Sequence, residues 1–93
     1  MKSRFIIVVE TGSSYEYTQE RIYDLICSMG HAAQLTEHSF LLVTEQNAVY
    51  IRDAIKNSPY DVDGIFVISA DAPAAWRKVM ADNDDIKTLL HEQ

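Results

Sequence analysis

The chain has few of the residues that mark specialised classes of small protein. It contains one cysteine, two prolines and three glycines among 93 residues. A single cysteine excludes an internal disulfide framework, and the sequence carries no glycine-rich phosphate loop. No secretory signal pattern follows Met1, and the apolar run over residues 5–9 is far too short to span a bilayer. These absences predict a cytoplasmic protein that makes no membrane contact.

Basic residues are also scarce, since eight lysines and arginines stand against fourteen acidic residues and give a net charge of −6. The local basic pairs are Arg52 with Lys56 and Arg77 with Lys78. Binding to a phosphate backbone depends on clustered lysine and arginine, so this balance disfavours nucleic acid as a partner. An acidic surface instead favours a basic protein partner.

What the chain does have is the composition of an ordinary globular protein, with 47% hydrophobic and 24% charged residues. This length predicts one domain over residues 1–93, because it is enough for a single core. Small domains bury a smaller share of their surface than large ones, so a partner subunit would add stability. We therefore expect a homodimer.

The order of the apolar periods predicts the fold. Strand-like and helical periods follow one another as strand, helix, strand, strand, helix, strand, at residues 5–9, 15–29, 32–36, 39–44, 47–56 and 65–69. The order βαββαβ predicts a ferredoxin-like α+β domain with a four-stranded antiparallel sheet. Residues 65–68 form a continuous apolar run, which predicts a buried strand.

Single residues refine these predictions. Only Glu37 and His38 separate the second and third strands, so those strands must form an antiparallel hairpin. Gly30 follows the first helix and is predicted to end it in the left-handed conformation. Cys27 is predicted on the buried side of that helix, as a structural rather than a reactive thiol.

The last segment, residues 72–93, is predicted to be a C-terminal helical extension. Pro73 suits the first turn of a third helix, which would contain Trp76, Val79 and Met80. An apolar stripe on a further short helix follows, and an apolar stripe on a polar tail is typical of a docking surface. The residues predicted to form this interface are Trp76, Ile86, Leu89 and Leu90.

Two residues are candidates for catalysis. Glu10 ends the first strand before a loop that contains glycine and serine, and His38 could act as a general base if the hairpin tip reached Glu10. The alternative is that both are solvated turn residues. No histidine has metal-ligand spacing to cysteine or to another histidine, and the acidic cluster of residues 82–85 lacks the pattern of a calcium loop.

Several segments resemble a known family: the first strand with its terminal acid, the stretch of residues 46–55, and the apolar strand 65–68 followed by residues 74–76. Together they resemble the SinR-like group of small bacterial and phage proteins. That group is itself similar to the ferredoxin-fold small subunit of CRISPR adaptation and to the VapD endoribonucleases. The resemblance covers about residues 3–78, and it implies a homodimer of two associated sheets and descent from a metal-dependent nuclease.

The nuclease members carry an aspartate at the end of the first strand, where a pair of carboxylates near the two-fold axis can hold a divalent metal. Glu10 matches that position, so the resemblance implies that Glu10 is the metal ligand. His38 matches the family's hydroxyl position in the hairpin. Glutamate places its oxygens more than about an ångström away from those of aspartate, a shift that octahedral Mg²⁺ geometry tolerates poorly.

Two functions therefore remain open from the sequence. The first and favoured one is a non-catalytic, dimeric protein-interaction module of a bacterium or phage, with an acidic surface and no cofactor. The alternative is a divergent metal-dependent nuclease, acting on RNA or DNA, in which Glu10 positions Mg²⁺ or Mn²⁺ and an activated water.

Overall fold

The computed structural model describes residues 2–12, 15–60, 62–71 and 74–91, the side chains of residues 15–17 excepted. Within these ranges the chain forms four strands and three helices. They are β1 (Ser3–Thr11), α1 (Tyr15–Cys27), β2 (His31–Thr36), β3 (Ser39–Thr44), α2 (Ala48–Lys56), β4 (Val62–Ser69) and α3 (Asn83–His91).

The strands form one antiparallel sheet in the order β2-β3-β1-β4. This order places β1 and β3 in the centre and leaves β2 and β4 at the edges. Helices α1 and α2 follow β1 and β3 respectively, which is the ferredoxin-like βαββαβ arrangement with a C-terminal helix added. The prediction of fold class is confirmed.

The main core lies between the sheet and the helices α1 and α2. Alternate residues of β1 point into it, because successive side chains of a strand face opposite sides of the sheet. Its buried members are Phe5, Ile7, Val9, Ile22, Ile26, Phe40, Leu42, Ile51 and Ile55. Burying each such side chain contributes about 1.5–3 kcal/mol to the free energy of unfolding.

The structure confirms the predicted antiparallel hairpin and the predicted second helix. Glu37 and His38 connect β2 to β3, and the Thr36 and Ser39 hydroxyl groups lie 2.6 Å apart across the base of the turn. Asn47 precedes α2, and its side-chain oxygen accepts a hydrogen bond from the Tyr50 amide at 2.8 Å. This bond satisfies one of the amide groups that the first turn of a helix leaves without a partner.

The segment before α3 differs from its prediction. Pro73 lies outside the described residues, and residues 74–82 contain no helix. Lys78 has a positive φ of 56°, and the Met80 amide donates to the Leu35 carbonyl at 2.9 Å, so this segment bonds to β2 instead of forming its own turns. The apolar residues Trp76 and Val79 pack against the sheet from this irregular segment. Only the short terminal helix of the prediction is present, as α3.

Two predictions at the end of α1 are wrong in detail. Cys27 is exposed, because it lies on the outer side of the last turn. Gly30 does not adopt a positive φ. It is required for a different reason, since a Cβ atom there would collide with the Val43 carbonyl oxygen of the neighbouring strand.

Candidate functional site

Among the described residues, the second face of the sheet, opposite α1 and α2, is covered over β2, β3 and part of β1. Over β2 and β3, a smaller core of Ala33, Leu41 and Val43 is closed by α3. In α3, Ile86 is 3% exposed and Leu89 is 7% exposed. The structure thus uses the C-terminal apolar stripe within the chain, where the sequence predicted a docking surface for a partner.

The rest of this face, over β4 and the end of β1, is open among the described residues. Phe66 is 59% exposed and Ile68 is 50% exposed, and both belong to β4. Their cross-strand neighbours in β1 are Val8 and Ile6, respectively. The predicted burial of residues 65–68 therefore holds on one side only: Ile65 and Val67 pack against the main core, while the alternate residues face outward. We call Val8, Phe66 and Ile68 the open apolar strip.

The strip lies on an edge strand, and the direction of the β4 backbone groups follows from its ladder with β1. The Ala70 amide donates to the Arg4 carbonyl at 2.9 Å. Hydrogen-bonded pairs recur at every second residue of an antiparallel ladder. Phe66 and Ile68 are in phase with Ala70, so their backbone groups also point towards β1.

The intervening residues, Ile65, Val67 and Ser69, consequently direct their backbone N–H and C=O groups towards the outer edge of β4. In the described part of the chain, β4 pairs with β1 alone. An edge strand of eight residues with unpaired backbone groups and apolar side chains is a template for pairing with another chain. Asp63 is the one charged side chain within β4.

Glu10 lies at the far end of β1. Its side chain is exposed, it pairs with Gly64 of β4, and the register shifts between Glu10 and Thr11. Because it is in phase with Val8, Glu10 points to the same face as the open apolar strip. The Glu10 carboxylate thus borders this strip at one end.

The structure brings His38 to the same end of the sheet as Glu10. The Val9 amide donates to the His38 carbonyl at 2.8 Å, so the hairpin tip lies beside the end of β1. Nδ1 of His38 is 3.0 Å from Nε2 of the buried Gln19. The two side chains share a hydrogen bond whose donor depends on the imidazole tautomer.

A metal centre is not formed by the residues that the structure describes. No group of three or more histidine, cysteine, aspartate or glutamate side chains in these ranges is arranged to hold an ion. Mg²⁺ needs oxygen ligands in near-octahedral geometry, and one exposed carboxylate does not supply it. Glu10 could therefore bind a metal ion only together with further ligand groups.

Cys27 and Tyr23 are neighbouring polar side chains whose acidities are both shifted. Desolvation raises the pKa of the Tyr23 hydroxyl, with a further contribution from Cys27. Desolvation also raises the pKa of the Cys27 thiol and outweighs a hydrogen bond from Tyr23 that lowers it. This environment is that of an unreactive thiol, since the thiolate is the nucleophile.

We expect Cys27 to react with iodoacetamide more slowly at pH 8 than a free cysteine derivative does. A raised pKa lowers the thiolate fraction at this pH, so the difference should shrink as the pH rises above 9. Mass spectrometry of timed samples gives the rate. A rate at pH 8 equal to or above that of the free thiol would contradict this interpretation.

Sequence and structure comparisons identify no relative of this chain: it matches no protein-family model, no curated protein and no solved structure. In the described residues, none of the helices is long and apolar enough to cross a membrane. The features of the molecule that bear on its function are therefore the open apolar strip and the charges around it.

Proposed function

We propose that the chain is a non-catalytic, cytoplasmic protein-interaction module that forms a homodimer through β4. The observation that carries this proposal is the exposure of Phe66 and Ile68, side by side on the second face of an edge strand. Contiguous exposed apolar side chains mark interaction sites in soluble proteins. The proposal agrees with the resemblance to SinR-like proteins, which implies a dimer of associated sheets.

A second copy of the chain fits β4 in a specific antiparallel register. Residues whose backbone groups point outward can bond to the same residues of another copy. If the two-fold axis passes beside Val67, then Val67 pairs with itself and Ile65 pairs with the partner's Ser69. The two chains then form one continuous sheet of eight strands. In this sheet the outward backbone N–H and C=O groups of Ile65, Val67 and Ser69 all have hydrogen-bond partners.

The same register matches the exposed side chains. Phe66 would lie directly opposite Ile68 of the partner subunit, and the reverse pair forms by symmetry. These are non-hydrogen-bonded positions, at which Cα atoms are about 4.5 Å apart and side chains approach most closely. An aromatic ring and a β-branched side chain form a favourable cross-strand pair, worth about 0.2–1 kcal/mol each. The strip is thus complementary to itself.

The dimer would carry twice the net charge of −6, and this charge determines the kind of partner that we propose. A strongly acidic surface repels nucleic-acid backbones and accelerates encounters with basic surfaces. We therefore propose a basic protein as the partner of the dimer. Such a complex should weaken as salt rises from 0.05 to about 0.5 M, because salt screens exposed charges.

The double substitution Phe66→Asp/Ile68→Asp tests the dimer. It places four carboxylates in the proposed contact, so we expect the dimer to dissociate at least a hundredfold more readily, as measured by sedimentation equilibrium. The matched control is Val49→Asp/Tyr50→Asp on α2, since these side chains are 56% and 50% exposed, close to the 59% and 50% of Phe66 and Ile68. The control should sediment as the unchanged chain does.

Circular dichroism should show both double variants folded, because all four side chains are already half in solvent. A wild-type chain that stays at 10.6 kDa up to millimolar concentration would contradict the proposal. Equal dimerisation of the two double variants would do the same.

The alternative proposal is a divergent metal-dependent nuclease, favoured by one observation: the β1–β3 register brings Glu10 and His38 to the same end of the sheet. The two proposals need different dimers. In a β4 dimer, the two Glu10 side chains would lie three strand spacings apart across the sheet and six residues apart along the strands. Their separation would exceed about 20 Å, which is too far for them to share a metal.

Incubation with single- and double-stranded RNA and DNA in Mg²⁺ and in Mn²⁺ distinguishes the proposals, with Glu10→Ala prepared in parallel. Cleavage that disappears in Glu10→Ala would establish the nuclease. No cleavage, or equal cleavage by both proteins, is expected of the interaction module.

A further inference from the structure

A groove lies between the C-terminal segment and the second face of the sheet, away from β4's outer edge. It consists of two cavities of about 410 and 430 Å³. Both are lined by Ala70, Ala74, Trp76 and Leu90, so they adjoin along the Trp76 side chain. Cavities of about 300–1,000 Å³ are the size that small ligands occupy.

The first cavity is basic, in a chain that is acidic overall. Among the described residues, Arg4, Lys87 and His91 line it, together with one carboxylate, that of Asp71. The three basic groups come from the two ends of the chain, β1 and α3, and only the fold brings them together. A local excess of positive charge on an acidic protein is the chemistry expected of a site for an anion.

Contacts within the protein orient both Arg4 and Asp71. The Arg4 Nε donates to the Leu89 carbonyl at 3.1 Å, which ties the half-buried guanidinium to α3. The Asp71 carboxylate accepts a hydrogen bond from the Ser69 hydroxyl at 2.8 Å. The acid offsets part of the positive charge, so the cavity suits a monoanion such as a carboxylate better than a phosphate dianion.

The second cavity is apolar. Ile6, Leu41, Val79 and Ile86 line it beside the shared residues, and Thr36 and Ser39 are among its polar lining residues. Arg4 and Ile6 are neighbours on the same face of β1, about 7 Å apart along the strand. A ligand that bridges both cavities therefore needs a charged group that is attached within a few bonds of an apolar body.

We propose that this groove binds a small amphipathic carboxylate, with the carboxylate beside Arg4, Lys87 and His91 and the apolar body beyond Trp76. The ligand class follows from charge complementarity at one end and apolar lining at the other. The site is independent of the β4 dimer, because none of the residues that line the two cavities belongs to the open apolar strip.

Trp76 supplies the readout, since it is the only tryptophan of the chain and lines both cavities. Its indole Nε1–H donates to the Asn83 side chain at 3.0 Å, so the ring is held in one orientation. Octanoate, acetate and 1-octanol are titrated against tryptophan emission and, in parallel, by calorimetry. Octanoate carries both parts of the proposed ligand, and each of the others carries one.

We expect octanoate to bind saturably and at least tenfold more tightly than acetate or 1-octanol. Lys87→Gln should weaken octanoate binding about two- to fivefold, because it removes one exposed charge from the basic cavity. The matched control is Lys56→Gln, an exposed lysine in the last turn of α2, which should bind octanoate as the unchanged chain does. Both variants keep the buried residues intact and should fold normally.

Three results would overturn the proposal. The first is the absence of saturable octanoate binding by both methods. The second is equal affinity for octanoate and 1-octanol, which would show that the carboxylate is not recognised. The third is equal octanoate affinity of Lys87→Gln and Lys56→Gln, which would remove the basic cavity from the site.

Discussion

Replacement of Gly30 by alanine is expected to lower the free energy of unfolding by about 3 kcal/mol, a large part of the 5–15 kcal/mol typical of a domain. A Cβ atom at this position would collide with the Val43 carbonyl oxygen and lie 3.1 Å from the Thr44 Cβ. Both neighbours belong to β3, a central strand with buried residues on both faces, so neither can move away cheaply.

The matched control for Gly30→Ala is Gly64→Ala. A Cβ atom at position 64 would meet nothing closer than the Glu10 Cβ at 3.9 Å, an ordinary contact. Alanine there should change stability by less than about 0.5 kcal/mol, or raise it slightly by restricting the unfolded chain. Urea unfolding followed by circular dichroism measures both variants. Equal effects of the two substitutions would contradict the steric explanation.

Phe40→Ala is expected to cost about 3–5 kcal/mol. The Phe40 side chain is fully buried, has the largest volume of the fully buried residues described, and lies in the main core. Its ring stacks on Tyr23, with the centroids 5.8 Å apart and the planes inclined by 17°. Truncation would leave a cavity between β3 and α1 and remove this contact, and rigid strands on both sides of β3 prevent collapse of the space.

The control for Phe40→Ala is Tyr50→Ala, which also removes an aromatic ring. Tyr50 is 50% exposed on α2, so its loss should cost less than about 1 kcal/mol. The same urea experiment compares them. A Phe40→Ala protein as stable as Tyr50→Ala would show that the helix-side core is packed differently from the structure.

The order of strands and helices could be predicted from sequence because each element is amphipathic with its own period. β1 alternates buried and half-buried residues, and α2 buries Ile51 and Ile55, one turn apart. The short Glu37–His38 connection allowed only an antiparallel hairpin. These local signals agree with the tertiary fold, and the predictions made from them are confirmed.

The segment before α3 could not be predicted in this way. Trp76, Val79 and Met80 have helical spacing, but spacing does not show which of them meets the sheet. In the structure Trp76 and Val79 pack on the second face, Met80 is exposed, and the backbone bonds to Leu35 of β2. Packing against a distant strand decided the conformation here, as tertiary contacts often override helix propensity.

The open apolar strip has only a partial signal in the sequence. Four consecutive apolar residues, 65–68, predict a buried strand, but the described part of the chain covers only one of its faces. In the proposed dimer, the second copy would cover part of this open face. In contrast, no local pattern could show that Arg4 and Lys87 line one cavity, because 82 residues lie between them in the chain.

The most direct test of the β4 dimer is a disulfide cross-link between two different chains. One chain carries Cys27→Ser with Phe66→Cys, and the other carries Cys27→Ser with Ile68→Cys. In the proposed register, position 66 faces position 68 of the partner subunit at a separation that a disulfide can span, whereas identical positions lie on the diagonal and farther apart. Mass spectrometry without reductant measures the covalent dimer.

We predict that oxidation of the equimolar mixture gives a covalent dimer of about 21 kDa, twice the 10.6 kDa chain, in clear excess over either chain oxidised alone. Peptide mapping should then show one linkage, between positions 66 and 68. Absence of the covalent dimer, or equal amounts of it in the mixture and in the two separate chains, would contradict the proposed dimer.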